Sequence, residues 1–263
     1  VKILDNAEVP KERQSPSYTK AAAAGAAAGI FLSALIVIRL STRRKKMRSK
    51  KDLNETGYPV LGRFKLQGGS DQNRTEYMNL KTNIMYSLPG KHCKKIVFTS
   101  SSPDENKSVV VMSLSRALVD EGYKVLMTDF DLRNPNLTEM LKMKDRKGVT
   151  EVLIGASDAE EAIRHYSERM NALPGGTLSM NPLNLLKSGG IETMLEQIEN
   201  DYEYILMDAS SFAYPEDILE LCRYADGVVF TVKRKTAWKQ DVESALEMMK
   251  TNNVTVLGMV GIE

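Results

Sequence analysis

The chain is poor in the residues that most often build metal centres, nucleophile–base pairs and covalent staples. Histidine occurs twice, at His92 and His165, and cysteine twice, at Cys93 and Cys222. Two separate thiols give neither a disulfide framework nor zinc-ligand spacing and read as ordinary buried side chains. Two isolated imidazoles leave a zinc site or a histidine-based triad without support. Charge of one sign is missing too. Lys plus Arg number 36 against 34 Asp plus Glu, a net charge of +2, so any electrostatic bias is local. At 263 residues the chain accommodates one α/β domain of about 200 residues and an additional segment. It begins at Val1 rather than Met, which reads as a fragment or a processed product.

What is present is sharply segmented. Residues 1–18 (VKILDNAEVPKERQSPSY) are polar and lack helical periodicity, and read as an extended linker. Ala21 to Ile38, AAAAGAAAGIFLSALIVI, carries no charge and is bracketed by Lys20 and Arg39. That run reaches the lower length limit for crossing a bilayer, and a spanning helix over 19–40 is predicted. No Met precedes it and no cleavage pattern follows, against a signal peptide. Gly25 and Gly29 have G-x-x-x-G spacing, which an Ala/Gly-rich run also produces by chance. The basic run STRRKKMRSKK, residues 41–51, lies at one end only. It places the C-terminal side in the cytoplasm and residues 1–18 outside. Arg43–Lys51 also suits anionic lipid headgroups. Nucleic acid is the poorer partner for a basic run abutting a span. Residues 41–70 are read as a basic juxtamembrane tail and connector, and 71–263 as the main domain.

The main domain alternates between the two periodicities. A helix is expected from Asp71 to about Ser87, ended by Leu88-Pro89-Gly90, then the apolar run Ile96-Val97-Phe98. A helix over Lys107–Glu121 stops at Gly122, and Val125-Leu126-Met127 leads to Asp129 and Asp131. Short helices follow near Leu137–Lys144 and Gly148, a short strand at Thr177–Met180, and a helix over Leu183–Glu199. Tyr204-Ile205-Leu206-Met207 then ends in Asp208. Helices at Glu216–Arg223 and Ala237–Met249 alternate with strands at Gly227–Val232 and Val254–Val260. This order implies a doubly wound, mainly parallel α/β sheet of the P-loop NTPase type. Ligands then bind at the C-terminal strand ends, where Asp129, Asp131 and Asp208 fall.

The loop between Phe98 and the following helix matches G-x-x-x-x-G-K-[ST] in part. Ser101-Ser102-Pro103-Asp104-Glu105-Asn106-Lys107-Ser108 has the Lys-Ser pair, but neither glycine. Asn106 is the substitute best able to adopt positive φ. Ser102, Pro103, Asp104, Glu105, Asn106, Lys107, Ser108 and Val109 are the expected nucleotide-binding residues. Ser108, Asp129, Asp131 and Asp208 are the expected Mg²⁺ ligands, and Lys107 with the three aspartates the catalytic group. Each aspartate alone reads equally well as a cap or turn residue. Together, behind apolar runs and beside Lys107-Ser108, they favour a site for ATP or ADP with Mg²⁺.

These motifs resemble the bacterial protein-tyrosine kinases (BY-kinases) of capsule and exopolysaccharide systems. TSSSPDENKS resembles their Walker A loop, VLMTDFDLRNP their second acidic motif, and YILMDASS their Walker B strand. NPLNLLKSGG, ADGVVFTVK and VLGMV resemble later segments. The linker, span, basic tail and YPVLG connector resemble the last membrane helix of a chain-length regulator of the Wzz type, so the resemblance covers nearly the whole chain. It implies a tyrosine kinase of the bacterial inner membrane, crossing once, with its C-terminal domain cytoplasmic. Its partners would be the polysaccharide polymerase and export machinery and an upstream chain-length-regulator region. Lys107 would contact phosphates, Ser108 and Asp208 hold Mg²⁺, and Asp129 and Asp131 complete the metal site and activate the tyrosine hydroxyl. The basic tail would serve in cis as the activating segment.

The sequence also departs from that family. Asp104 and Asn106 replace loop glycines, and Asp104 brings a negative charge near phosphate at a cost of about 1 kcal/mol. Asp208 is followed by Ala209-Ser210-Ser211 instead of T-P-P. The family's ring-forming Glu and two Arg correspond to Thr75, Met78 and Lys81, so a homo-oligomer through that motif keeps only Lys81. Tyr224 is the last tyrosine before Glu263, where the family carries a tyrosine-rich tail. A second reading is therefore a catalytically weak or inactive P-loop scaffold. A third, a partitioning-type ATPase, is opposed by the span and by Ser101 in place of a signature lysine.

Overall fold

The computed structural model describes residues 18–43, 45–65, 70–144 and 146–263. The linker expected at residues 1–18 lies outside them except for Tyr18. The chain divides into two units, Val1–Arg44 and Lys45–Glu263. In the first, α1 runs Tyr18–Arg43, and residues 18–39 are exposed along its whole surface. At 1.5 Å per residue that helix is about 39 Å long, sufficient for a hydrocarbon core of about 30 Å. Its stretch Tyr18–Arg39 is long and apolar enough to cross a membrane.

In the second unit the elements are α2 (Lys50–Asn54), β1 (Val60–Phe64), α3 (Ser70–Ser87), β2 (Lys94–Ser100), α4 (Lys107–Val119) and β3 (Val125–Asp129). They continue through α5 (Asn136–Met140), α6 (Val149–Leu153), α7 (Ala159–Ala162), β4 (Arg164–His165) and β5 (Met170–Leu173). The chain closes with α8 (Pro182–Leu186), α9 (Gly190–Ile198), β6 (Tyr204–Asp208), α10 (Pro215–Cys222), β7 (Gly227–Lys233), α11 (Lys239–Thr251) and β8 (Val256–Ile262). The eight strands lie in the order β1-β8-β7-β2-β6-β3-β5-β4, all parallel to their neighbours except β4.

The central strands are buried along their length because both sheet faces are covered. Their alternation separates two cores. Ile96, Phe98, Val125, Met127 and Leu206 face the layer that includes Leu80, Ile84, Val111 and Leu114 of α3 and α4. Val97, Leu126, Ile205 and Met207 face the opposite layer, with Ile191, Met194, Leu221, Val242 and Met249. The fold is the expected doubly wound, mostly parallel P-loop NTPase-like α/β fold, preceded by one apolar helix.

Two local expectations are corrected, and the basic tail has a place on the domain. The short strand is Met170–Leu173 and not Thr177–Met180, where Leu178 and Met180 are exposed. The helix expected over Leu183–Glu199 is two helices, because Gly189 adopts φ +83 at the break. Part of the basic tail is bonded to the domain. Met47 is 1% exposed, its amide donates to Ala237 O at 2.9 Å, and its carbonyl accepts from Lys235 N at 2.7 Å. Lys239 N donates to Lys45 O at 2.8 Å, and Lys46 lies over the Trp238 ring.

Candidate nucleotide site

β2 delivers the loop Ser101–Asn106 to the N-terminus of α4. Asn106 stands at φ 55, ψ 34, the left-handed conformation that glycine otherwise fills and Asn tolerates best among other residues. This turn aims Lys107 and Ser108 at the ends of the neighbouring strands. β6 pairs with β2 on one side and β3 on the other, with Asp208 in register with both Phe98 and Asp129. Three carboxylates are thus brought to one end of adjoining strands, together with Lys107 and Ser108.

Lys107 is 1% exposed and its Nζ lies 2.9 Å from Asp131 Oδ2. Burial alone would pull its ammonium pKa down. Asp208, Asp131 and Asp129 outweigh that and hold it above the ordinary lysine value. Ser108 Oγ donates to Asp208 Oδ2, while Asp208 Oδ1 is buried without a hydrogen-bond partner. Burial pushes the Asp208 carboxyl up, with Lys107 and Ser108 acting against it. Asp129 is used differently. Its Oδ2 accepts from both Thr138 N and Thr138 Oγ1 at 2.7 Å, and its Oδ1 accepts from Asp131 N at 3.2 Å. Thr138 Oγ1 in turn accepts from Gly175 N at 2.8 Å. Burial, then the neighbouring Asp208, raises the Asp129 pKa well above the carboxylate range.

The expected loop residues do not all share one environment. Pro103 and Asp104 are exposed, Ser102 and Val109 half-buried, and Glu105 fully buried. Glu105 was expected simply as a phosphate-loop member, yet its carboxylate is the loop's internal anchor. It accepts from Ser101 Oγ, from Ser102 N at 2.9 Å and from Lys233 N at 2.8 Å. The segment after Asp208 is stitched to the base of the loop: Ala209 N donates to Phe98 O, Phe212 N to Ser100 O, and Thr99 Oγ1 to Ser210 O. Among the described residues no group of three or more His, Cys, Asp or Glu forms a cage for a metal ion. A cation here would share Ser108 and Asp208 with oxygens from a ligand, the usual manner of Mg²⁺ with nucleotides.

A parallel doubly wound sheet with Lys-Ser at its first loop and aspartates at the facing strand ends is a P-loop nucleotide-binding architecture. Residues 94–251 match the AAA domain family. The chain is 31% identical over 188 residues to tyrosine-protein kinase CpsD of Streptococcus agalactiae, covering 70% of this chain and 81% of that one. It is 27% identical over 189 residues to tyrosine-protein kinase YwqD of Bacillus subtilis (strain 168), covering 72% and 80%. The crystal structure of the chimerical protein CapA2B2 superposes with a TM-score of 0.73 at 23% identity, covering 81% of this chain and 98% of that one. The chain belongs to the AAA domain family and, within it, to the bacterial tyrosine-kinase family of capsule and exopolysaccharide biosynthesis.

Proposed function

We propose that this chain is a membrane-anchored, ATP-dependent tyrosine-protein kinase that regulates capsular or exopolysaccharide chain length, polymerisation and export. The observation that carries the reading is the meeting of Lys107, Ser108, Asp131 and Asp208 at adjoining strand ends, with Asp208 Oδ1 buried and unpartnered. A buried carboxylate oxygen left without a donor costs free energy unless a cation or donor arrives. Ser108 and Asp208 fit Mg²⁺, and ATP with that ion supplies the phosphoryl group to be transferred. Lys107 binds phosphate oxygens once it leaves Asp131. Asp131, so released, would accept the proton that the acceptor tyrosine loses as its oxygen bonds to the γ-phosphorus, the bond from that phosphorus to the bridging oxygen breaks and ADP leaves. Asp129 holds Thr138 of α5, which in turn holds the Gly175 amide, and keeps Asp131 in place through the Asp131 amide.

The tail supports the same reading. Met47 fixes the turn after β7 through Lys235 and Ala237, and β7 holds Glu105 through Lys233 N. The segment after the span is thereby linked to the P-loop by one short element, which suits activation in cis. Exposed Lys45, Arg48 and Lys51 remain available to anionic lipid. Partners on this reading are the polysaccharide polymerase and export machinery, a chain-length-regulator region, and further copies of the chain.

A non-catalytic P-loop scaffold is the alternative, favoured by Asp104 in the loop and by a Lys107 already neutralised by Asp131. Calorimetric titration of Mg²⁺-ATP and Mg²⁺-ADP into the full chain in nanodiscs decides between them, beside its Lys107→Met variant. Micromolar binding that the variant loses, with labelled phosphate appearing on a tyrosine peptide, supports the kinase. No heat from a chain with a sharp unfolding transition leaves the scaffold.

A further inference from the structure

A cleft of about 680 Å³ opens next to the acidic strand ends, on the β5 side of the sheet. Its wall includes Asn134, whose amide donates to Asp131 Oδ1 at 3.1 Å, and Thr138, which holds Asp129. The cleft therefore borders the segment that carries Asp131, the carboxylate that is to receive the acceptor's proton. Four cations line it: Arg133, Lys144, Arg146 and Lys147. Arg133 is committed, through a two-point ion pair with Asp217 and stacking on Tyr214 at 4.0 Å. Lys144, Arg146 and Lys147 are exposed and make no ion pair among the described residues. Of the two carboxylates on the wall, Glu151 is occupied by the amides of Gly148 and Thr177. Among the described residues of the wall, Glu139 alone opposes the three uncommitted cations. Pro135 and the 60% exposed Leu178 add apolar surface to the same wall.

We propose that this cleft binds the phosphoryl acceptor, a tyrosine-bearing peptide segment rich in Asp and Glu. The inference rests on the tyrosine-kinase reading above and adds the substrate's chemistry to it. The tyrosine ring lies on the apolar surface nearest Asp131, and acidic residues to one side of it meet Lys144, Arg146 and Lys147. A side chain that reaches Asp131 and carries its own negative charge would be repelled there; a neutral phenol is not. Exposed cations at a rim steer the encounter and discriminate between partners more than they add raw affinity. An anionic glycan satisfies the same cations but has no use for apolar surface beside a proton-accepting carboxylate.

The test uses the full chain in nanodiscs and three probes read by fluorescence anisotropy at low salt. The first is a labelled peptide with one tyrosine flanked by glutamates, the second its twin with glutamines, the third unlabelled polygalacturonate as competitor. The glutamate peptide is expected to bind about tenfold tighter than its twin. The Arg146→Glu/Lys147→Glu double variant is expected to lose that preference while binding Mg²⁺-ADP as the wild type does. Equal binding of the two peptides, an unchanged preference in the double variant, or binding of polygalacturonate in place of the glutamate peptide each overturns the assignment. Mg²⁺-ADP titration of the same samples separates the two readings. If nucleotide fails to bind and the peptide preference holds, the kinase reading falls and the acidic-peptide cleft stands. If nucleotide binds and the preference is absent, the cleft assignment falls alone.

Discussion

Lys107 Nζ sits 2.9 Å from Asp131 Oδ2, with the side chains 1% and 5% exposed, so the lysine proposed to bind phosphate is already paired. Removing one member of a buried pair leaves the other charge uncompensated, at a cost of about 3–5 kcal/mol. Asp131→Asn is therefore expected to lower the unfolding free energy of the nucleotide-free domain by about 3 kcal/mol, softened by Asp208 and Asp129 nearby. A bound nucleotide's phosphate replaces the missing anion. The rise in melting temperature on adding Mg²⁺-ADP is thus expected to be larger in the variant than in the wild type. An equal or smaller rise would show that Lys107 does not turn from Asp131 to phosphate.

The two missing glycines have separable consequences. Asn106 occupies the left-handed region at φ 55, where any side chain with a β-carbon is strained and Asn least. Asn106→Ala is expected to destabilise the domain by about 1 kcal/mol, and Asn106→Gly to leave it within about 0.5 kcal/mol. Asp104 is exposed, and its effect is electrostatic. Asp104→Gly is expected to tighten Mg²⁺-ADP by about fivefold at low salt, a gain that shrinks as salt rises. Calorimetry at two ionic strengths checks this; a gain indifferent to salt would assign the effect to loop conformation.

The sheet was legible because its central strands are apolar runs ending in turn residues, and alternation within each run assigns Ile96 and Phe98 to one face and Val97 to the other. Lys107, Ser108 and the aspartates were legible from spacing, since a strand end and a helix start fix where a side chain points. Three features were not. Met170–Leu173 includes Asn171, whose side chain bonds His165 and Tyr202, so its polarity hid a strand that the exposed Leu178 and Met180 seemed to supply. Glu105 finds its anchor at Lys233, 128 residues away, and no local pattern reports such a bond. Its one signal was an acid at a phosphate loop, which needs a reason to be there. Met47 was masked by the basic residues around it, although a lone apolar residue inside a charge run is itself a sign of docking.

Glu105 gives the fold a pH dependence of defined sign. Burial raises its carboxyl above the ordinary value of 4.5, and the bonds from Ser101, Lys233 and Ser102 offset this only in part. Between the unfolded and the raised folded value, the folded chain holds a proton that the unfolded chain has released. Stability from this group is therefore full below about pH 4.5 and is lost as pH rises through the folded value. Glu105→Gln cannot titrate. Its amide faces hydrogen-bond donors and costs about 1–2 kcal/mol at every pH, so the slope rather than the offset is diagnostic. Denaturation of both proteins from pH 4.5 to neutrality is expected to show the wild type losing stability relative to the variant as pH rises. Parallel curves would mean that Glu105 titrates alike in both states.

Met47 links the segment after the span to the Ser101–Asn106 loop through Lys235, Ala237 and Lys233, and the link can be cut at one side chain. Met→Ala in a filled core costs about 2–5 kcal/mol, whereas Met→Leu usually costs less than about 1.5. Met47→Ala is expected to release Lys45–Ser49 from the Lys235–Trp238 turn, seen as faster amide exchange at Met47, Lys235 and Lys239. The turn is continuous with Lys233, whose amide anchors Glu105, so the loosened turn also loosens the P-loop. Mg²⁺-ADP is accordingly expected to bind about fivefold more weakly in Met47→Ala, with Met47→Leu close to wild type. Faster exchange in the turn with unchanged nucleotide affinity would uncouple the tail from the site and remove the basis for activation in cis. Weaker binding in step with faster exchange would instead place the control of nucleotide binding in the stretch that joins the domain to the membrane.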